Sequence, residues 1–256
     1  MGKIIAITNQ KGGVGKTTSA MNISARMGYL GKKVLLVDFD SQGNASHGLL
    51  HFNEIKDTVF SVISEKVAIE DAIVHKMTPP IDILPSDMNL AGAENLMEKY
   101  GVGKELFLKK QLDKIKDQYD YILIDCPPSL GLITINALTA ADSVLIPVQC
   151  EYYALEGITQ LLLTIRLVQQ TYNRNIRVEG IFLTMFDIRT KLSVDVSQEV
   201  RKNFNGEVYQ NHIPRNVTLS EAPSRTQSIF EYDPKGNGAR AYAGLTDEIL
   251  KRNEGK

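Results

Sequence analysis

The chain has 256 residues, near the upper end of what one hydrophobic core fills, and its 43 % hydrophobic and 23 % charged residues argue against disorder. Its formal net charge of −1 excludes a globally basic nucleic-acid binder, so any such interface must be a local patch. No apolar run reaches the roughly 18 residues of a membrane span, and the first motif begins too early to leave room for a signal peptide, so a cytoplasmic location is expected.

In chain order, short apolar runs alternate with amphipathic stretches. Strands are predicted at 3–8, 33–38, 81–84, 121–125, 143–148, 178–184 and 208–213. Helices are predicted near 17–30, 104–118, 133–140, 155–171 and 194–204. This alternation is the signature of an α/β fold: one P-loop domain over residues 1–256, a twisted, mostly parallel sheet with helices on both faces. Pro79-Pro80 reads as a loop, and no repeat, linker or low-complexity tract interrupts the pattern. Cys126 and Cys150 lack Cys-x-x-Cys spacing and read as reduced, half-buried thiols.

The first strand runs directly into Gln10-Lys11-Gly12-Gly13-Val14-Gly15-Lys16-Thr17-Thr18. Glycines let successive backbone N–H groups converge on a phosphate, and the helix that follows adds its positive end. Lys16 supplies a point charge to the β- and γ-phosphates, and the Thr17 hydroxyl is the expected Mg²⁺ ligand. A glycine-rich turn without ligand is the bland alternative, but strand, Gly-Lys-Thr ending and helix together favour a nucleoside triphosphate site.

Ligands in such sheets sit at the carboxyl ends of strands. The second strand ends in Asp38-Phe39-Asp40, which places two carboxylates on one side, although Asp-x-Asp spacing equally suits a turn or helix cap. An apolar run, Tyr121-Ile122-Leu123-Ile124, closes on Asp125, which fits a Mg²⁺ role through water. Pro127-Pro128 then forces the chain away from the sheet. Further on, Ile213-Pro214-Arg215-Asn216-Val217 reads as a loop before a short capped helix.

A standard phosphate loop has glycine where Gln10 stands, and it requires no lysine at Lys11. Lys11-Gly-Gly-Val-Gly-Lys16-Thr resembles the deviant Walker A family, the ParA/Soj/MinD ATPases. The likeness extends to Asp125-Cys-Pro-Pro-Ser-Leu-Gly131, Pro147-Val-Gln-Cys-Glu-Tyr-Tyr153 and the segment from Ile213. It implies ATP and Mg²⁺ as cofactors, with Lys11 crossing the interface of an ATP-sandwich homodimer and Lys16 as the loop lysine. Lys11, Gly12, Gly13, Val14, Gly15, Lys16, Thr17 and Thr18 would hold the phosphates, and Thr17 and Asp125 the metal. Asp40 would position the attacking water, while Pro214 and Asn216 would lie beside the adenine, with Arg215 supporting them.

The resemblance further implies ATP-dependent, nonspecific binding of double-stranded DNA, a ParB-type partner that stimulates hydrolysis, and association with the nucleoid. Arg189 and Arg225 are the implied DNA contacts. Lys191, Arg201, Lys202, Lys235 and Lys251 are further basic candidates, each with the ordinary alternative of a solvated surface charge. Larger relatives carry an N-terminal DNA-binding extension, and here the ATPase domain itself is expected to hold the DNA. Three departures stand out: Ser41 in place of a proline, Thr218 in place of an arginine, and a divergent stretch from Arg225 to Ser228.

Two other classes compete. A MinD-like membrane ATPase requires a terminal helix with an apolar face free for lipid, and the stripe between Tyr242 and Lys251 is short and more easily packed on the sheet. An iron-protein-like reductase would need Cys126 and Cys150 from two subunits to supply four thiolates to one cluster.

Overall fold

The computed structural model describes residues 2–99, 101–204 and 206–255. Seven strands form one sheet: β1 (Lys3–Ile7), β2 (Val34–Asp38), β3 (Val74–Met77), β4 (Pro80–Leu84), β5 (Tyr121–Asp125), β6 (Ser143–Gln149) and β7 (Arg177–Thr184). Their order is β3-β4-β2-β5-β1-β6-β7, and every neighbouring pair is parallel except β3 with β4. The central strands are buried on both faces, which is why they read as unbroken apolar runs.

Successive residues point to opposite faces, so each central strand feeds two cores. Ile4, Ala6, Leu35, Val37, Ile122 and Ile124 face one, against helices that include Phe107–Ile115, Leu132–Ala140 and Ala154–Thr171. Ile5, Ile7, Val34, Leu36 and Leu123 face the other, against Lys16–Tyr29 and the C-terminal helix Asn237–Glu254. The α/β expectation, with helices on both faces, holds.

Six of the predicted strands form within a residue of their expected ends. The seventh does not. The segment 208–213 bonds to β7 only at its ends, Tyr209 N–H to Ile181 O at 2.8 Å and Ile213 N–H to Leu183 O at 2.8 Å. Between them, the Gln210 and Asn211 N–H groups turn to the Glu248 carboxylate on the C-terminal helix, at 3.0 and 3.1 Å. A side chain distant in sequence replaces the ladder there.

The strand that sequence patterning missed is β3, whose Val-His-Lys-Met sequence has half its residues exposed and pairs only with β4 as the sheet's edge. Pro79 lies in the hairpin turn between these two strands.

The C-terminal helix docks on the helix that follows the phosphate loop. The Tyr242 hydroxyl lies 2.9 Å from Ser19 Oγ, and Tyr242, Leu245, Ile249 and Leu250 are buried. The apolar stripe seen in sequence is thus consumed by the core. Among the described residues no helix is long and apolar enough to cross a membrane.

Candidate functional site: a phosphate loop ringed by carboxylates

The loop after β1 turns through Gly13 and Gly15, at φ of 73° and 87°, a region where any Cβ is strained. Gly15 caps the helix Lys16–Tyr29 without a side-chain hydrogen bond, so the first-turn N–H groups remain available to an anion. Asn9 sets the loop's take-off: its Oδ1 accepts from Lys11 N–H at 3.0 Å while its Nδ2 donates to Pro147 O at 2.8 Å. On the far side, Thr184 at the end of β7 donates to Val14 O at 2.9 Å. The loop is therefore pinned to both β6 and β7.

The two lysines go separate ways. Lys16 is nearly buried, and its ammonium spans the loop to donate to Lys11 O at 3.0 Å. Burial lowers its pKa, and Asp125, Cys126 and Asp40 oppose that by their proximity. Lys11 instead reaches out of the loop and pairs with Glu151 just after β6. Glu151 is held in turn by the Gln149 amide.

β2 and β5 are parallel neighbours, and Asp38 stands in register with Asp125. Among the described residues neither oxygen of the fully buried Asp125 has a hydrogen-bond partner. Desolvation first, and the Asp38 and Asp40 charges after it, push its carboxyl well above the usual range. Thr17 and Lys16 act against this without closing a bond of ordinary geometry. An orphaned buried carboxylate facing a phosphate loop suits a hydrated Mg²⁺, which the Thr17 hydroxyl could ligate. Among the described residues no three His, Cys, Asp or Glu side chains form a metal cluster, and a Mg²⁺ site completed by phosphate oxygens and water needs none.

Asp38 is used differently from Asp40. It is fully buried and spends its carboxylate on protein donors: Ser46 N–H at 2.8 Å, Ser46 Oγ at 2.7 Å and Asp40 N–H at 3.2 Å. Desolvation still raises it to about 6. Among the described residues the Asp40 carboxylate takes one donor, the Gln42 N–H at 3.0 Å. Both aspartates thus make the turn bonds that Asp-x-Asp spacing suits, Asp38 with both oxygens and Asp40 with one.

Beside the loop lies a cavity of about 310 Å³ whose walls include Gly15, Thr18, Met185, Pro214, Asn216 and Tyr242. The structure thus brings the phosphate loop and the predicted base-contact residues Pro214 and Asn216 to one cavity. Asn216 Oδ1 accepts from both the N–H and the hydroxyl of Thr218, at 2.8 and 2.7 Å, so Thr218 sets its amide orientation. A neighbouring cavity of about 380 Å³ shares Pro214 and Arg215 and extends to Arg189.

Arg189 is 85 % exposed and makes a bidentate pair with Asp187, at 2.9 and 2.8 Å. Arg225 lies apart from that cavity, exposed on the 222–225 turn, which approaches the helix Asn44–Leu49 at Gly48. Arg201 is taken up structurally, since its guanidinium donates to Tyr209 O and Gln210 O.

The cysteines are fully buried rather than half-buried. Burial pushes the Cys150 thiol up to about 11 and Cys126 higher still. Such thiols are poor cluster ligands or nucleophiles. Sequence reasoning also missed Asn9, Ser46, Glu151 and Thr184. Each acts through a partner far along the chain or through a local turn, for which no residue spacing gives a signal.

The AAA domain family matches residues 2–178. The sporulation initiation inhibitor protein Soj of Bacillus subtilis is 52 % identical over 97 % of this chain and 98 % of its own length. The chain belongs to the Soj/ParA family. The chromosome-partitioning ATPase Soj of Treponema pallidum is 47 % identical over 99 % of both chains. A solved structure, cobyrinic acid a,c-diamide synthase from Mycobacterium smegmatis with bound ADP and magnesium, has a TM-score of 0.87 at 36 % identity, covering 100 % of this chain and 97 % of that one. As a Soj/ParA-family ATPase, the chain takes ATP with Mg²⁺, and the glycine loop, Thr17 and Asp125 suit that pair.

Proposed function

We propose that this Soj/ParA-family ATPase is a DNA partition ATPase: ATP joins two copies, the dimer holds double-stranded DNA without sequence preference, and hydrolysis stimulated by a ParB-type partner releases it. The observation that carries this reading is the division of labour between the two lysines. Lys16 already fills the loop as its counter-charge, while Lys11 stands outside on a partly exposed ion pair. A second lysine of no use to its own loop suits a γ-phosphate held by a second copy.

In this scheme the loop amides and Lys16 hold the phosphates, and the Asp40 carboxylate orients the attacking water. Thr17, and Asp125 through water, would hold the Mg²⁺, which would supply positive charge against the phosphates. Pro214 and Asn216 face the base. Arg189, exposed next to the nucleotide cavity, is the foremost DNA contact, with Arg225 a second. The protein then acts in the cytoplasm on the nucleoid. The membrane reading loses its support, because the C-terminal apolar stripe is buried.

Co-sedimentation with DNA and with anionic liposomes, each with ATP, ADP or no nucleotide, tests the proposal. DNA binding that requires ATP supports it. Liposome binding that requires ATP, without DNA binding, overturns it in favour of the membrane reading.

A further inference from the structure

A buried network behind the nucleotide site has no direct use in binding phosphate. Ser46 Oγ donates to Asp38 Oδ2 and accepts from Ser86 N–H at 2.8 Å, just past the end of β4. The hydroxyl's one proton and a lone pair are both committed. Asp38 Oδ2 also takes the Ser46 N–H, and its other oxygen takes the Asp40 N–H. Asp38, Ser46 and Ser86 are all fully buried. The next links also fix Asp40: Phe39 N–H donates to Asp125 O at 2.9 Å, and Gly43 N–H to Asp40 O at 2.9 Å.

We propose that Asp38 and Ser46 are positioning residues for hydrolysis: anchored to the end of β4 through Ser86, they hold the Asp40 backbone so that its carboxylate meets the attacking water. The proposal rests on the reading of Asp40 as the water-orienting residue. The two oxygens of Asp38 have separate tasks, one gripping the helix Asn44–Leu49 through Ser46 and the other gripping Asp40. That explains a carboxylate here, since asparagine offers one acceptor oxygen and would set its NH₂ against one of the donors. Ser46→Ala removes the hydroxyl and leaves the Ser86 N–H buried without a partner.

A kinetic double-mutant cycle tests this, with kcat and KM for ATP measured at several Mg²⁺ concentrations for Asp38→Asn, Asp40→Asn and the double variant. Asp38→Asn is expected to lower kcat about tenfold or more with KM within about twofold, because a misplaced group costs the transition state and not the bound substrate. The double variant is expected to hydrolyse ATP no more slowly, within about twofold, than Asp40→Asn alone, since Asp38 works only through Asp40. A purely structural role would instead multiply the two losses. Multiplied losses, an unchanged kcat in Asp38→Asn, or a raised KM or Mg²⁺ requirement each overturn the proposal. If Asp38→Asn does not fold, Ser46→Ala takes its place in the same cycle with the same criteria. Wild-type hydrolysis by Asp40→Asn alone marks the separate failure of the Asp40 reading.

Discussion

The Lys11 ammonium is paired with the Glu151 carboxylate of its own chain. To serve a second copy, Lys11 must leave Glu151. Both side chains are partly exposed, at 35 % and 44 %, so the pair is worth at most about 1 kcal/mol. A symmetric dimer breaks two such pairs, so Glu151→Gln should shift ATP-dependent dimerisation to lower protein concentration, by up to about thirtyfold. Lys11→Ala should bind ATP as a monomer. Analytical ultracentrifugation with a non-hydrolysable ATP analogue measures both, and weaker dimerisation of Glu151→Gln would show that Glu151 assists the dimer rather than competing with it.

Lys16→Ala and Asp40→Ala should separate binding from chemistry. The first strips the loop of its counter-charge and should abolish ATP binding. The second leaves the loop intact and should keep ATP bound while slowing hydrolysis about a hundredfold. Filter binding and phosphate release measure the two. Wild-type turnover by Asp40→Ala would remove it from the mechanism.

Of the three loop glycines, Gly12 is the one that tolerates a side chain within one subunit, since it lacks the positive φ of Gly13 and Gly15 and an added Cβ meets Pro128 at 3.9 Å. Gly12→Val should fold and bind ATP normally. Its isopropyl group would project toward the face presented to a second phosphate loop, so the expected species by light scattering is an ATP-bound monomer. An ATP-dependent dimer of normal affinity would contradict a face-to-face arrangement of the loops.

The phosphate loop was legible because its information is local: glycines, lysine and threonine act within nine consecutive residues. The central strands were legible because burial on both faces leaves no polar interruption. Val208 to Ile213 misled for the same reason in reverse. Its apolar residues belong to the core, but its middle N–H groups are satisfied by Glu248, about forty residues away in sequence, which no strand pattern encodes. β3 escaped notice because an edge strand needs only one apolar face. Asp38 looked like a twin of Asp40, and only the positions of Ser46 and Ser86 reveal that its carboxylate faces protein donors.

Acid stability should report the ion pair at the foot of β1. Burial raises the Glu179 carboxyl, but the Lys3 ammonium at 2.5 Å, with help from Ser143 and Asn253, more than reverses that and leaves it below its ordinary value. A depressed folded pKa stabilises the protein above the unfolded value of about 4.3, and that contribution disappears as pH falls through the folded value. Glu179→Gln should cost about 2–3 kcal/mol in urea unfolding at pH 7, and the penalty should shrink below pH 4. A penalty independent of pH would assign the loss to packing alone.

The central claim is that ATP converts a near-neutral chain into a DNA binder by presenting two copies of Arg189 and its surroundings to one duplex, and DNA affinity measured against salt with ATP and with ADP tests it most directly. Each neutralised phosphate adds roughly 0.9 to the salt slope. Binding should require ATP, ignore sequence and weaken steeply with salt, and Arg189→Ala should flatten the slope by about one to two units per dimer while leaving dimerisation intact. Equal affinity with ATP and ADP, or a strong preference for one short sequence, would contradict the account.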